Sequence, residues 1–263
     1  MSKIDPTARV ADGAVIGAGA EIGPFCIIGP HAVIGANCKL IGQVTIIGHT
    51  SVGDNCVISP FAVLGGAPQD LSYKGEPTTL EIGSGNTIRE GATMNVGTVK
   101  GGGKTRVGND GYFMNNSHVG HDCIVGSNAI FATSATLGGH CEIGDAVYIG
   151  GLSAVHQFTR IGSYVMVGGL SGVRDDIIPY GLANGQYAVL ESLNLIGMKR
   201  RKFTKARLAA VRAFYQKLFH GPGTFAARLE ASRPLASEDS AIAEILDFIG
   251  KGKRPLCLPA IAT

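Results

Sequence analysis

The chain is poor in aromatic and charged residues. It has no tryptophan, and among its 263 residues only 6% are aromatic and 16% are charged. No apolar stretch approaches the roughly 20 residues of a membrane-spanning helix, and the N-terminal MSKIDPTARV lacks the apolar centre of a signal peptide. Hydrophobic residues still make up 45% of the chain, which excludes a disordered protein. The 39 glycines do not recur every third residue, which excludes collagen. We therefore expect a folded cytoplasmic protein without a membrane segment.

Charge is distributed unevenly along the chain. Residues 1–190 contain 10 Lys and Arg against 14 Asp and Glu, whereas residues 191–263 contain 13 against 6. The overall formal charge of +3 therefore combines a mildly acidic body with a basic C-terminal end. Such an end suggests docking of an anionic partner or a phosphorylated ligand, although basic termini are about equally often plain solvated surface.

A period of six residues runs through the first two thirds of the chain. Steps of six residues within each uninterrupted stretch reach 26 positions. All of them are apolar, and glycine directly follows 15. These positions are Ile4, Val10, Ile16, Ile22, Ile28, Ile34, Leu40, Ile46, Val52, Ile58, Leu64, Ile82, Ile88, Met94, Val107, Phe113, Val119, Val125, Phe131, Leu137, Ile143, Ile149, Val155, Ile161, Val167 and Val173.

This period fits neither an α-helix nor one long strand, whose side chains repeat every 3.6 and 2.0 residues. It is typical of short strands joined by tight corners, with one bulky side chain per hexad pointing inward and glycine easing the corner. Three hexads form one triangular coil, and successive coils stack about 4.8 Å apart. The sequence therefore predicts a mainly β protein, a parallel β-helix shaped as a triangular prism.

The repeat is interrupted twice and then ends. Residues 66–80 and 97–106 carry proline, glycine and charges where the repeat needs an apolar residue, so both are expected to leave the prism as loops. From about residue 190 the pattern becomes helical, with Thr204 as an N-cap and Gly221 as a stop signal for one helix. The predicted domains are a β-helix over residues 1–189 and an α-helical domain over residues 190–263.

Five of the six cysteines follow the repeat. Each falls four residues after an inward position, in slots that alanine fills elsewhere; they are Cys26, Cys38, Cys56, Cys123 and Cys141. We interpret them as small buried side chains rather than as disulfides or metal ligands. Cys257 lies outside the repeat and has no assigned role, and no CxxC spacing of a zinc site is present.

Histidines gather at one corner of the expected prism. Steps of one coil, 18 residues, put His121, Gly139 and Gln157 in one column, and the next position gives Asp122, His140 and Phe158. The same arithmetic brings His118 and His156 to that surface, with His121 facing outward.

A histidine beside a carboxylate, with a glycine N–H one coil above, is a reasonable acyl-transfer site. The imidazole would take the proton of a nucleophile, and the amide would face the developing oxyanion. Spacing alone leaves two alternatives open: exposed corner histidines without a function, and a zinc site between coils. No Walker or Rossmann loop is present, and GGGK at 101–104 lacks the flanking strand and helix of a phosphate loop.

Five segments give the chain a resemblance to a known family. They are NNSHVGHDCIVG (115–126), GGLSAVHQFTRIG (150–162), APQDLSYKGEPT (67–78), GGGKTRVG (101–108) and LNLIGMKRRKF (193–203). In these segments the chain resembles the UDP-N-acetylglucosamine O-acyltransferases that begin lipid A biosynthesis. The similarity runs nearly end to end and includes both loops and the helical tail.

The resemblance implies a cytoplasmic homotrimer of left-handed β-helices, with active sites in clefts between neighbouring subunits. It implies transfer of an R-3-hydroxyacyl group from acyl carrier protein to the 3-hydroxyl of UDP-N-acetylglucosamine. No cofactor and no metal is implied, because the acyl-phosphopantetheine of the carrier protein is a co-substrate. The expected partners are the carrier protein and the nucleotide sugar, with no nucleic acid.

The resemblance also implies roles for individual residues. By position His121 matches the general base, Asp122 its orienting carboxylate and Gly139 the oxyanion-hole amide. Gly169 matches the position that sets the depth of the acyl groove. Further residues match those that line the sugar-nucleotide and acyl-pantetheine site: Asp70, His118, His140, His156, Gln157, Asn194 and Arg200.

Two departures from the family pattern leave the acceptor open. Better-known members have a lysine in QDLKY where this chain has Ser72, and His-Arg where it has Asn95 and Val96. The first removes one cationic contact, and the second is expected to change side chains near the sugar. Some relatives acylate a 3-amino sugar and form an amide, so this acceptor is the alternative to the 3-hydroxyl.

Three other functions are weighed against the acyltransferase. The N-acyltransferase of the same pathway carries a separate N-terminal uridine-binding domain, for which a repeat beginning at Ile4 leaves no room. A γ-type carbonic anhydrase needs three zinc ligands, and His118 and His121 lie too close in sequence for its pattern. An ice-binding β-helix needs regular threonine rows, which the sequence lacks.

Overall fold

The computed structural model describes residues 2–260, so the predicted domain limits at residues 1 and 263 lie outside the described residues. The hexads form short parallel strands in three sheets, which are the three faces of a prism. Most strands are only two residues long, because a corner follows each inward side chain.

Each sheet takes one strand from nearly every coil. The first sheet contains β1 (Lys3–Ile4), β4 (Glu21–Ile22), β7 (Lys39–Leu40), β10 (Val57–Ile58), β13 (Thr87–Ile88), β16 (Tyr112–Phe113), β19 (Ile130–Phe131), β22 (Tyr148–Ile149), β25 (Met166–Val167), β27 (Gly181–Asn184) and β28 (Val189–Leu193). The second contains β2 (Arg9–Val10), β5 (Ile27–Ile28), β8 (Thr45–Ile46), β11 (Val63–Gly66), β14 (Thr93–Asn95), β17 (His118–Val119), β20 (Thr136–Leu137), β23 (Ala154–Val155) and β26 (Gly172–Val173). The third contains β3 (Val15–Ile16), β6 (Val33–Ile34), β9 (His49–Val52), β12 (Thr79–Ile82), β15 (Lys104–Val107), β18 (Ile124–Val125), β21 (Glu142–Ile143) and β24 (Arg160–Ile161).

The strand register follows the predicted coil length. His118 pairs with Thr136, and Thr136 pairs with Ala154, so one coil takes 18 residues. Where a loop leaves the prism the step is longer, as between Thr93 and His118, yet the strands on either side still pair in register. The loops therefore lengthen a coil without disturbing the stacking that positions the corners.

The prism interior consists of the predicted inward side chains. All but three of the 26 positions are buried, and Phe113 and Phe131 pack at its centre with ring centroids 5.0 Å apart. The exceptions are Ile4, 47% exposed, and the half-buried Val10 and Ile16. They belong to the first coil, whose strands pair on one side only, so no coil beneath covers them. Each of the inward side chains that is fully buried contributes roughly 1.5–3 kcal/mol to stability.

Both loops are shorter than predicted. Strand β11 continues to Gly66 and β12 begins at Thr79, so the first loop spans 67–78. Strand β15 begins at Lys104, so the second spans 97–103 and contains a 3-10 turn, Val99–Gly101. The six-residue count missed these strand residues because β12 and β15 each add a second inward side chain, Leu80 and Thr105, which pair with each other.

The cysteines are free and buried, as the repeat predicts for Cys26, Cys38, Cys56, Cys123 and Cys141. Cys257 is buried as well, although the sequence assigned it no role. Its backbone N–H donates to the carbonyl of Asp176 at 2.8 Å, and its thiol donates to the carbonyl of Ala188 at 3.2 Å. It thus anchors the C-terminal segment to the end of the prism.

The C-terminal region is helical but begins later than residue 190. Strand β28 runs antiparallel to β27 and ends at Leu193, and its buried side chains are Leu190 and Leu193. The helices are α1 (Leu195–Arg200), α2 (Lys205–His220), α3 (Phe225–Ser232) and α4 (Ser240–Gly250), with a 3-10 turn at Arg233–Ser237. Thr204 caps α2 as predicted, accepting from the N–H of Arg207, and Gly221 follows its end.

Helix α4 is fixed against the prism by Arg160. The guanidinium lies 4.1 Å from the ring centroid of Phe248 and donates to the Phe248 carbonyl at 2.7 Å. Its other side faces the buried carboxylate of Asp176 at 3.5 Å. None of the helices within residues 2–260 combines the length and apolarity needed to cross a membrane.

Candidate active site

The predicted histidine columns form at the corner between the second and third sheets. The N–H of His140 donates to the carbonyl of His121 at 2.9 Å, and the N–H of Phe158 donates to that of Gly139 at 3.0 Å. Asp122, His140 and Phe158 therefore occupy equivalent places in three successive coils, all with a left-handed backbone, φ 59° to 65°. Non-glycine residues adopt this conformation at other corners as well, for example Asn37, Phe61 and Leu152, so it belongs to the corner geometry of the whole prism.

His121 and Asp122 form a hydrogen-bonded pair. The Nδ1–H of His121 donates to Oδ2 of Asp122 at 2.7 Å, so the lone pair is on Nε2, as a general base requires. The His121 side chain is only 12% exposed and that of Asp122 is fully buried. His121 thus faces outward less than the sequence predicted, because the loop 97–103 covers this corner.

Gly139 lies directly on the imidazole of His121. A Cβ atom at this position would stand 2.6 Å from Nε2, so any side chain here would displace the ring. Among residues 2–260 the Gly139 N–H donates to no backbone or side-chain acceptor. A free amide beside a histidine base is the arrangement that stabilises an oxyanion next to the proton acceptor.

The carboxylate of Asp122 is held by the second loop. Thr98 donates its backbone N–H to Oδ1 and its hydroxyl to Oδ2, both at 2.7 Å. Gly101 packs so closely that a Cβ atom there would overlap this carboxylate. The sequence did not predict a role for Thr98, because this residue lies 24 positions from Asp122. The glycines of the GTVKGGG loop were the available sign that this loop packs closely against the site.

His140 and His118 flank the pair in less polar surroundings. The His140 ring stacks on Phe158, with centroids 4.4 Å apart, and meets His121 edge-on at 5.0 Å. Nδ1 of His118 hydrogen-bonds the Thr93 hydroxyl at 2.7 Å. Burial lowers the pKa of both histidines below its ordinary value of 6.5, and the charge of His121 acts in the same direction. Both rings are therefore suited to act as neutral hydrogen-bonding groups.

Asp70 lies in the first loop, next to the residue that joins this loop to the second. Its Oδ1 accepts the N–H of Ser72 at 2.7 Å, and hydrogen bonds from Ser72 lower the pKa of the carboxyl. The charges of Lys100 and His121 lower this pKa further. The ammonium of Lys100 donates to the Ser72 hydroxyl at 3.0 Å and so joins the two loops.

Asn95 and Val96 are both buried. Asn95 is 7% exposed and donates its amide to the carbonyl of Ala67 at 3.0 Å, and Val96 is 2% exposed. The expectation that this departure changes side chains near the sugar stays a prediction. The two residues close the base of the first loop.

The other predicted residues lie further from His121. His156 and Gln157 are exposed one coil above Gly138 and Gly139. Gly169 lies at the corner between the first and second sheets, in a column above Gly151.

Asn194 and Arg200 do not join the cluster within one chain. The Asn194 side chain caps α1, accepting the N–H of Gly197 at 2.9 Å, and donates to the carbonyl of Tyr164 at 3.0 Å. Arg200 is exposed in the last turn of the same helix.

The donor atoms of His121, Asp122 and His140 all lie within 4.8 Å of one another, which is close enough to hold a cation. The carboxylate oxygens of Asp122, however, already accept three hydrogen bonds, two of them from Thr98. These bonds occupy three of the roughly four lone-pair positions of the carboxylate. The donor set therefore fits an oriented base better than a metal centre.

Comparisons with known proteins decide the family. Residues 176–257 match the model for domain 2 of UDP N-acetylglucosamine O-acyltransferase, and residues 31–66 match the bacterial transferase hexapeptide model. The acyl-[acyl-carrier-protein]–UDP-N-acetylglucosamine O-acyltransferase of Azorhizobium caulinodans is 54% identical over 98% of this chain and 95% of its own. That of Rickettsia conorii is 55% identical over 97% of both chains. The chain belongs to this family.

Solved structures of the O-acyltransferases agree with this assignment. The crystal structure of the enzyme from Moraxella catarrhalis is 40% identical, covers 97% of this chain and 99% of its own, and superposes with a TM-score of 0.93. The fold is thus the left-handed parallel β-helix with a helical C-terminal region that was predicted. The predictions of the family and of an acyltransferase are confirmed as well.

Proposed function

We propose that this chain transfers an R-3-hydroxyacyl group from acyl carrier protein to the 3-hydroxyl of UDP-N-acetylglucosamine, with His121 as the general base. The observation that carries the proposal is the stack of Asp122, His121 and Gly139. It combines an oriented imidazole, whose Nε2 makes no hydrogen bond within residues 2–260, with an unpaired amide beside it.

The reaction proceeds by addition and elimination. Nε2 of His121 takes the proton of the sugar hydroxyl as its oxygen attacks the thioester carbonyl, and the new imidazolium is stabilised by Asp122. The Gly139 N–H faces the oxyanion of the tetrahedral intermediate. When the carbon–sulfur bond breaks, the imidazolium returns the proton to the leaving thiolate, which yields the ester and the free thiol of the carrier protein. Asp70, His118 and His140 bind the polar groups of the substrates around this centre.

The active unit is a homotrimer whose sites lie between protomers. Asn194 and Arg200 are far from the His121 cluster within one chain, so they complete the site of a neighbour. Large apolar side chains are exposed on the prism, among them Phe61, Ile124 and Leu170 at 62%, 51% and 70%. Leu152 and Leu170, 65% and 70% exposed, stack in neighbouring coils, and exposed apolar side chains that adjoin in this way favour an interface. We expect the enzyme in the cytoplasm, since six free cysteines suit a reducing compartment.

An acyl-transfer assay tests the proposal. UDP-N-acetylglucosamine and its 3-amino analogue are offered in parallel with 3-hydroxyacyl carrier proteins, before and after treatment with a chelator. We expect ester formation that the chelator does not change. Amide formation alone would assign the 3-amino acceptor, and loss of activity that zinc restores would favour the metal site.

Mixed oligomers test the shared site. His121→Ala and Arg200→Ala are expected to be inactive alone, and co-assembled protomers should regain activity because some sites then contain both native residues. Native mass spectrometry reports the trimer. Failure of the mixture to exceed its components would contradict a site between protomers.

A further inference from the structure

Lys100 is a cation at the mouth of the candidate site. It lies in the 3-10 turn of the second loop, whose N-cap residue, Thr98, also holds the carboxylate of Asp122. Thr98 and Gly101 lie against Asp122, and Lys100, which stands between them in sequence, extends towards the first loop. The position of the ammonium is thus linked to that of the base.

The ammonium of Lys100 has no acidic partner in an ion pair within residues 2–260. The other cations of the second loop and its strand, Lys104 and Arg106, both pair with Glu81, at 3.4 and 3.0 Å. Lys100 instead donates to the neutral hydroxyl of Ser72 at 3.0 Å. The charge of Lys100 also lowers the pKa of the Asp70 carboxyl, but the two groups form no ion pair within residues 2–260. Because a hydroxyl contact is weaker than a charged one, the ammonium can still bind an anion.

A cation favours the binding of an anionic substrate at this site, because the base lies among carboxylates. The Asp122 carboxylate hydrogen-bonds His121 and the Asp70 carboxylate lies in the first loop, so an anionic substrate that approaches the imidazole meets negative potential. In the proposed reaction the nucleotide sugar carries a diphosphate on C1, one sugar ring away from the hydroxyl that reacts. The acyl donor carries the phosphodiester of its pantetheine arm. Each substrate therefore brings a phosphate group close to the mouth of the site.

We propose that Lys100 binds a phosphate group of a substrate, with Ser72 holding its ammonium in position beforehand. Better-known relatives have a lysine at the position of Ser72. In this chain the second loop supplies a cation to the same place, because the ammonium of Lys100 contacts Ser72. This inference rests on the proposed function and goes beyond it, because it assigns a binding residue that the family pattern does not supply.

The test compares Lys100→Met with the matched control Lys104→Met, which removes a cation four residues further along that already has a partner. Initial rates are measured while each substrate is varied in turn, and binding of UDP-N-acetylglucosamine is measured by calorimetry at low and high salt. For Lys100→Met we expect KM for one substrate to rise about tenfold with kcat little changed, which is the loss of one charge-assisted contact. Added salt should reduce the difference from wild type.

The two phosphate sources are distinguished by which KM rises. A rise for the nucleotide sugar, with weaker calorimetric binding, assigns the diphosphate, and a rise for the acyl donor assigns the pantetheine phosphodiester. The double variant Ser72→Lys with Lys100→Gln returns the charge to the first loop and should restore the KM. Lys100→Arg should restore it in part.

Two results would overturn the inference. If Lys100→Met behaves like Lys104→Met, the ammonium binds no substrate. If Ser72→Ala loses as much as Lys100→Met, and kcat and melting temperature fall together, the contact is a structural clasp between the loops. A different result would contradict the proposed function itself: a wild-type protein that neither binds UDP-N-acetylglucosamine nor forms the ester.

Discussion

Thr98 donates two hydrogen bonds to Asp122, from its N–H to Oδ1 and from its hydroxyl to Oδ2, both 2.7 Å long. The hydroxyl also accepts the N–H of Gly101 at 3.1 Å, so the second loop and the carboxylate form one unit. Orientation of the base therefore depends on a residue outside the prism. The carboxylate aligns the imidazole, and the loop aligns the carboxylate.

Thr98→Val tests this dependence. The change keeps the shape of the side chain but removes the hydroxyl that Oδ2 accepts, and a buried unsatisfied acceptor costs about 1–3 kcal/mol. We expect kcat/KM to fall about tenfold, which is 1.4 kcal/mol. Thr98→Ser should retain most activity; equal losses in the two variants would contradict the role of the hydroxyl.

The buried histidines should make stability depend on pH. Burial lowers the pKa of His118 and His140 from 6.5 in the folded protein, so the unfolded chain binds more protons near that pH. Their contribution to stability is complete above pH 6.5 and is lost as the pH falls through 6.5 towards the lower folded values. Asp122 and Asp70 oppose this shift at His140 without reversing it.

Thermal melting between pH 8 and 5 measures the effect. We expect the melting temperature to fall on acidification and the slope to become shallower in the double variant His118→Asn, His140→Asn. The lowered pKa of carboxyls such as Asp70 and Glu81 acts in a separate window, near and below pH 4. An unchanged slope between pH 7 and 5 in the double variant would show that these histidines do not cause it.

The basic end of the chain is expected to bind the acidic carrier protein. Lys199 lines a groove of about 500 Å³ between α1 and α2, together with Lys205, Arg212 and the apolar Leu208. Lys199→Glu combined with Lys202→Glu should raise KM for the carrier protein, more at low salt than at high. Lys217→Glu, at the far end of α2, is the control for a general change in charge. A salt-independent effect, or none, would favour a plain solvated surface.

The acyl groove is expected to accept long chains because of Gly169. Small residues and then glycines line its column, which runs through Asn115, Thr133, Gly151 and Gly169. A Cβ atom at Gly169 would meet only the Gly151 carbonyl at 3.4 Å, and its φ is not left-handed, so a side chain fits without strain. The corner geometry therefore does not require glycine at position 169, which agrees with a role for Gly169 at the end of the acyl groove.

We predict preference for 3-hydroxymyristoyl-class donors, and a shift to shorter donors in Gly169→Met. Each buried CH₂ group contributes about 0.8 kcal/mol, roughly fourfold in binding, so a few methylenes impose a clear preference. Values of kcat/KM across donor lengths measure it. A folded variant with an unchanged length profile would rule out this role.

The prism could be predicted because the sequence pattern that specifies it is local and repeated. One apolar residue every six positions sets the inward side chains, and a fixed coil length then places residues 18 apart on top of each other, as His121 lies below Gly139. The same arithmetic cannot describe a loop. The contacts of Thr98 with Asp122 and of Lys100 with Ser72 span 24 and 28 positions, and they depend on loop conformations that no periodic pattern encodes.

The ends of the repeat were predicted less well for a related reason. Leu80 and Thr105 are inward residues outside the six-residue count, since three consecutive coils of the third sheet have four-residue strands at this level. Val189–Leu193 reads as helical with the segment that follows it, but pairing with β27 makes it a strand. In both places tertiary pairing outweighs the local signal.

The measurement that tests the account most directly is the acyl-transfer rate of His121→Ala in a trimer shown to be folded. Help from a general base is typically worth about 10²–10⁴-fold, so we predict a loss in that range with an unchanged melting curve. Asp122→Ala should lose less, because the carboxylate orients the base without taking the proton. A folded His121→Ala enzyme that keeps more than about a tenth of the wild-type rate would contradict the assignment of His121 as the base.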